Sequence, residues 1–216
     1  MGYRDEEIMK ERKSAAQAQM DALDEEQRER ERQESIFDEF VHIEGREVRF
    51  ARRPDEDAGI SLYMPESFEK LDDETRKSFY PFGNPPKSVY ADFETPFQIT
   101  LNRTDSVVPD DGIPKFMKMS AKLLENYGPK SKILANGVVR LHDHNIGIME
   151  AGTRAVDCNV HNVMFYVSVD DRVMIGNINF PTKYSKRMMP VAKQIIDSIN
   201  FLTEEENNGD NNLSES

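Results

Sequence analysis

The chain has 216 residues, with 28 Lys and Arg against 40 Asp and Glu, a single Cys and no Trp. That length accommodates one domain with appendages, or at most two small ones. A net charge of −12 argues against nucleic-acid binding, which needs clustered cations, and the lone Cys158 excludes a disulfide framework or a Cys-rich zinc site. No apolar run approaches the roughly 18 residues of a membrane span. The opening Met-Gly-Tyr-Arg-Asp-Glu-Glu is charged where a signal peptide needs an apolar stretch, so a cytoplasmic protein is expected.

The charge sits mainly at the ends. Residues 1–35 carry a net of −4 and residues 202–216 a net of −5, which leaves only −3 on the middle. The tail from Thr203 is too polar to offset the entropy of ordering it, and disorder is expected there. Residues 1–35 lack an internal Pro and are rich in Glu, Arg, Lys, Gln and Ala, which predicts a charged N-terminal helix. Its apolar stripe (Met9, Ala16, Met20, Leu23) is thin, as for a solvated helix or a docking helix.

From residue 36 to 58 the pattern predicts a short hairpin and linker. Val41, Ile43, Val48 and Phe50 alternate about Glu44-Gly45, and Arg52–Asp57 reads as a polar break. Residues 59–201 then read as one α+β domain. Ile60 and Leu62 form a short strand, and Glu66–Ser78 is charged with at most a turn of helix. The Phe-Tyr-Pro-Phe-Gly-Asn-Pro-Pro of 79–86 is a loop. Val89, Ala91 and Phe93 alternate, as do Phe97, Ile99 and Leu101, with Pro96 marking an edge or a bulge. Asp110–Pro114 opens a helix whose stripe is Phe116, Met119, Leu123 and Tyr127, leaving Met117 off it, with Gly128-Pro129 as the stop.

Four strands follow, Lys132–Leu141, Asn145–Val156, Asn162–Val169 and Arg172–Phe180. In the third, Val163, Phe165, Val167 and Val169 share one face and Met164 and Tyr166 the other. In the fourth, Met174, Gly176, Ile178 and Phe180 oppose Val173 and Ile175. Ser185 is placed to cap a last helix with the stripe Met188, Val191, Ala192, Ile195 and Ile199, while Met189 falls off it. Strands and helices are segregated, which gives an α+β fold: a twisted antiparallel β-sheet with helices packed on its faces.

Leu62–Phe68, Tyr80-Pro81 with Asn84-Pro85-Pro86, Asn162–Tyr166 and Ile195–Phe201 together resemble the PsbP/Mog/DcrB-type superfamily, above all its small bacterial members of uncharacterised role. The resemblance covers residues 59–201. It implies a twisted antiparallel sheet with helices on both faces, and a protein that works through contacts with other proteins. Known members include a photosystem extrinsic subunit, a Ran-binding import factor and chaperones that hold secreted effectors. No catalytic residues carry over.

Three groups are candidates for chemistry or binding. His142-Asp143-His144 could offer two imidazoles to zinc if extended, with His161 as a third ligand, although a polar turn between strands accounts for the segment more simply. Cys158 has only His161 as a nearby base in sequence. Phe79, Tyr80 and Phe82 form an aromatic, Pro-rich segment that could anchor a protein partner or fold back over the sheet. The reading reached from sequence is a non-enzymatic protein-binding module, adaptor or chaperone-like, without cofactor. It is expected to hold a protein partner of unknown identity, such as a secreted or effector protein, through Phe79, Tyr80 and Phe82. The alternative is a metal-dependent hydrolase built on His142, His144 and His161.

Overall fold

The computed structural model describes residues 34–80, 84–92, 94–127, 131–154 and 158–202, together with Gln17. The predicted N-terminal helix, apart from Gln17, Glu34 and Ser35, lies outside these residues, as do Phe82, Phe93, Gly128-Pro129 and the acidic tail from Thr203. In chain order the elements are β1 (Val41–Ile43), β2 (Arg46–Val48), β3 (Phe50–Asp55), β4 (Ile60–Pro65), β5 (Glu69–Lys70), helix α1 (Asp73–Phe79), β6 (Ser88–Ala91) and β7 (Gln98–Val107). They continue with helix α2 (Ile113–Tyr127), β8 (Ser131–Leu141), β9 (His144–Arg154), β10 (Asn159–Val169), β11 (Arg172–Pro181), helix α3 (Ser185–Asp197) and β12 (Asn200–Phe201).

The strands form a β1–β2 ribbon, a seven-stranded antiparallel sheet in the order β5-β6-β7-β11-β10-β9-β8, and a three-stranded sheet β12-β4-β3. Alternation sorts the large sheet into two faces. Val163, Phe165, Val167, Val169, Met174, Ile178 and Phe180 enter a main core with α3 and the small sheet. Met164, Tyr166, Val173 and Ile175 enter a second core under α2. This is the predicted α+β arrangement, and the face assignments of β10 and β11 hold residue by residue. Ile36, Val41, Ile43, Val48 and Phe50 also pack into the main core.

Several local expectations are corrected. The polar break at Arg52–Asp57 is largely strand β3, with Phe50 and Asp55 buried. Its two arginines spend their donors on carbonyls, Arg52 on Ser198 and Arg53 on Phe68. Pro54 is tolerated because, among the described residues, β3 pairs on one side only. Pro96 lies in the turn between paired strands β6 and β7, and β7 is interior to the sheet. The segment before residue 79 holds a two-turn helix, α1, whose N-cap Asp72 accepts the Thr75 N–H at 2.8 Å.

In α2 the buried stripe is Ile113, Met117 and Ala121, with Met117 only 2% exposed, while Met119 and Leu123 are each 52% exposed. The helix settles on Gly147 of β9, whose missing side chain makes room for Met117. Ser185 does not cap α3. It is the first helical residue, and its hydroxyl pairs with Nδ1 of His161 at 2.9 Å. Met189 is half-buried against the main core.

The chain enters the fold at a polar knot. Glu34 accepts the His42 backbone N–H at 2.7 Å and the Arg187 guanidinium at 2.8 Å, and its other oxygen lies 2.6 Å from His42 Nδ1. Gln194 of α3 accepts the Ile36 N–H at 2.8 Å. Burial raises the Glu34 carboxyl, but the bonds and charges of His42 and Arg187 outweigh it, so its pKa lies below the ordinary glutamate value. A depressed carboxylate stabilises the fold above its unfolded pKa of about 4.3, and that contribution is lost as pH falls through the lower folded value. Glu34→Gln should cost about 2 kcal/mol at neutral pH and much less once the pH is below the folded value. Urea unfolding of both proteins across that range checks this, and a pH-independent difference would contradict it.

Candidate functional site

At the end of the large sheet where β6 and β11 finish and β7 and β10 begin, an open cavity of about 480 Å³ is lined almost wholly by apolar groups. Leu71, Phe97, Val160 and Phe180 form its walls, Phe79 stands at its rim, and the exposed thiol of Cys158 opens onto it. These residues are distant in sequence. They meet because the strand order sets β6, β7, β11 and β10 side by side.

Polar bonds hold the rim in place, since α1 contributes no buried residue. Arg76 binds Asp73 at 2.6 Å and the carbonyl of Lys87, which ties the helix to the segment entering β6. On the opposite rim Asp92 holds the β6–β7 turn, accepting the N–H groups of Glu94 and Thr95 at 2.8 and 2.6 Å and the Ser67 hydroxyl at 2.5 Å. Burial raises the Asp92 carboxyl, but the Ser67 and Thr95 bonds prevail and leave its pKa below the usual aspartate range.

The three aromatics singled out from sequence have separate fates. Phe79 ends α1, is 50% exposed and lines the cavity. Tyr80 turns back to the sheet, its hydroxyl accepting from Gln98 Nε2 at 2.9 Å, and burial pushes its phenol up. Phe82 lies outside the described residues.

The histidines do not converge, which corrects the grouping of His142, His144 and His161 as metal ligands. His142 and Asp143 form the two-residue turn of the β8–β9 hairpin, with φ of 47° and 65°, so the segment is not extended there. His144 stacks on Phe201 with ring centres 3.9 Å apart, and its Nδ1 lies 3.5 Å from Asp110. His161 pairs with Gly152 across the ladder, eight residues along β9 from His144, or about 26 Å at the strand rise. Among the described residues no group of three or more His, Cys, Asp or Glu is arranged to hold a metal ion.

His161 has its own task. It is buried, stacks on Phe180, bonds Ser185 and turns Nε2 toward Glu150 at 3.7 Å, so that it ties β9, β10 and α3 together. Neither His161 nor Ser185 lines this cavity. Among the described residues no helix is long and apolar enough to cross a membrane.

No protein-family model matches the chain, and no curated protein does. Solved structures do resemble it. The solution structure of cyanobacterial PsbP (CyanoP) from Synechocystis sp. PCC 6803 has a TM-score of 0.50 at 12% identity, covering 70% of this chain and 92% of that one. LpqN, involved in cell envelope biogenesis of Mycobacterium tuberculosis, has a TM-score of 0.47 at 14% identity, covering 72% and 92%. The T6SS immunity protein TplEi of Pseudomonas aeruginosa has a TM-score of 0.38 at 9% identity, covering 84% and 83%. The likeness to CyanoP is one of fold.

Proposed function

We propose that this chain of PsbP-like fold is a non-enzymatic binding module, adaptor or chaperone-like, that takes an apolar segment of a protein partner into the cavity beside α1. The observation that carries this reading is the cavity itself, apolar in its walls and open at a rim where Phe79 stays half exposed. Covering such a surface returns roughly 25 cal/mol per Å² of apolar area removed from water. An aromatic at the edge of a pocket is a common anchor in protein interfaces. The separation of the histidines favours this reading over a metal-dependent hydrolase, because His161 pairs with Gly152, eight residues along β9 from His144.

The chain's single thiol supplies a direct test. Anilinonaphthalene sulfonate, an anionic fluorophore whose aromatic rings report apolar surface, should bind the native protein. Phe79→Asp, or a bulky maleimide on Cys158, should weaken that binding at least about ten-fold, corresponding to about 1.4 kcal/mol. Phe37→Asp, on a side chain 55% exposed and packed edge-on against Tyr63, is the control and should leave binding unchanged. A partner recovered from the native host should be lost with the same two blocks. Fluorophore and partner binding that both survive them would remove the proposal.

A further inference from the structure

Sheet edges expose unpaired N–H and C=O groups, and folded proteins shorten, charge or cover them. Three of the four edges of the two main sheets are guarded in this way. β5 has two residues, both charged, β12 has two, and β3 carries Arg52, Arg53 and Pro54. The fourth edge, β8, is eleven residues long, and among the described residues its ladder partner is β9 alone. Along it Leu134, Val138 and Val139 are 51%, 38% and 44% exposed.

The register shows which backbone groups of β8 are open. Leu141 and His144 flank a two-residue turn and therefore form a hydrogen-bonded pair. By alternation Val139, Gly137 and Ala135 also bond inward to β9, whereas Asn136, Val138 and Arg140 direct their N–H and C=O groups outward. A bulge at Leu134 ends this regular run.

We propose that β8 is a self-association edge, at which two copies of this chain pair antiparallel about a two-fold axis through Gly137 and continue the seven-stranded sheet across the dimer. The sequence of the strand is self-complementary in that register. Asn136 meets the partner's Val138 as a hydrogen-bonded pair, and Val139 meets the partner's Ala135 beside the partner's Leu134, so the exposed aliphatic groups cover one another. Each cation stays far from its own copy, Arg140 by about 20 Å and Lys132 by about 33 Å at 3.3 Å per residue, while Lys132 and the partner's Arg140 come within about two residues of each other along the strand, a like-charge contact at the rim of the interface. An isologous contact of this kind closes on itself and does not propagate into fibres.

Sedimentation of the full chain in reductant tests the proposal. The mass should rise with concentration from 24.9 kDa to twice that value. Val138→Pro removes an outward N–H without touching the β8–β9 ladder and should weaken the dimer about 100-fold, as should Val139→Lys. Circular dichroism of both variants should match the parent. In a Cys158→Ser background, Gly137→Cys should oxidise to a covalent dimer, because facing residues of a non-hydrogen-bonded pair lie about 4.5 Å apart and suit a disulfide. Arg140→Cys should not. A single-chain mass at every concentration, a dimer indifferent to both β8 substitutions, or crosslinking at 140 in place of 137 would each overturn the proposal.

Discussion

Gly176→Val is expected to be among the most damaging single changes in the protein, costing about 3 kcal/mol or more. Gly176 of β11 faces Phe165 of β10 directly across the ladder, and the ring of Phe165, fully buried, lies flat over the glycine. An added Cβ would stand 1.9 Å from the ring's Cζ, far inside contact distance, so either the ring must leave its place in the main core or the strands must part. Packing at crystal-like density leaves no room for the first option. In a domain of this size the loss corresponds to a fall in Tm on the order of 10 °C. The pairing can be checked by a double-mutant cycle. Phe165→Leu should relieve part of the cost of Gly176→Ala, giving a coupling of about 1 kcal/mol or more, and strict additivity would refute the contact.

Asp55→Ala should cost about 3–5 kcal/mol, because it strips the partner from several groups at once. Asp55 is 3% exposed. One oxygen accepts the Ala58 N–H at 2.8 Å, which fixes the turn between β3 and β4. The other accepts the Tyr90 hydroxyl at 2.7 Å and lies 3.4 Å from the Lys70 ammonium. The small sheet is thereby joined to β5 and β6 of the large one. Burial, reinforced by the bond and charge of Asp55, raises the Tyr90 phenol far above its usual range. That hydroxyl therefore remains a donor throughout the accessible pH range. Tyr90→Phe should cost less, about 1–2 kcal/mol, since it removes a donor and leaves Asp55 with Ala58 and Lys70. The double variant should be clearly less damaging than the sum, as measured by chemical denaturation.

The parts of the fold that were legible in the sequence are those in which local pattern and tertiary environment agree. β10 and β11 alternate without interruption because both faces of the sheet are covered, one by α3 and the other by α2, and the two-residue Asp170-Asp171 turn is visible between them. In α2 the pattern was ambiguous. Ile113-Met117-Ala121 and Phe116-Met119-Leu123 are both acceptable stripes at helical spacing, and the choice between them rests with β9, where Gly147 leaves a socket for Met117. β3 was hidden by its own composition, since arginines that lie along the small sheet and donate to carbonyls look like a solvated loop in one dimension.

The candidate site was the least legible part. Phe79 stood out as an aromatic in a polar stretch, but Leu71, Phe97, Cys158 and Phe180 become neighbours only through a strand order that runs from β6 and β7 to β11 and β10. That order depends on which edges find one another during folding, and no local spacing encodes it. Tyr80 could not be told from Phe79 beforehand. Its hydroxyl draws it back to Gln98, and Phe79, lacking one, remains at the rim.

The closing strand β12 lies against β4, Leu202 donates its N–H to the carbonyl of Gly59, and Ile199 is fully buried in the main core. During synthesis on a ribosome this architecture delays the first half of the protein. β3 and β4 emerge early, yet one side of β4 stays unsatisfied until the stretch around Ile199 clears the exit tunnel. A nascent chain arrested shortly before that point should remain sensitive to protease as far back as β4, and protection should arrive late and in one step.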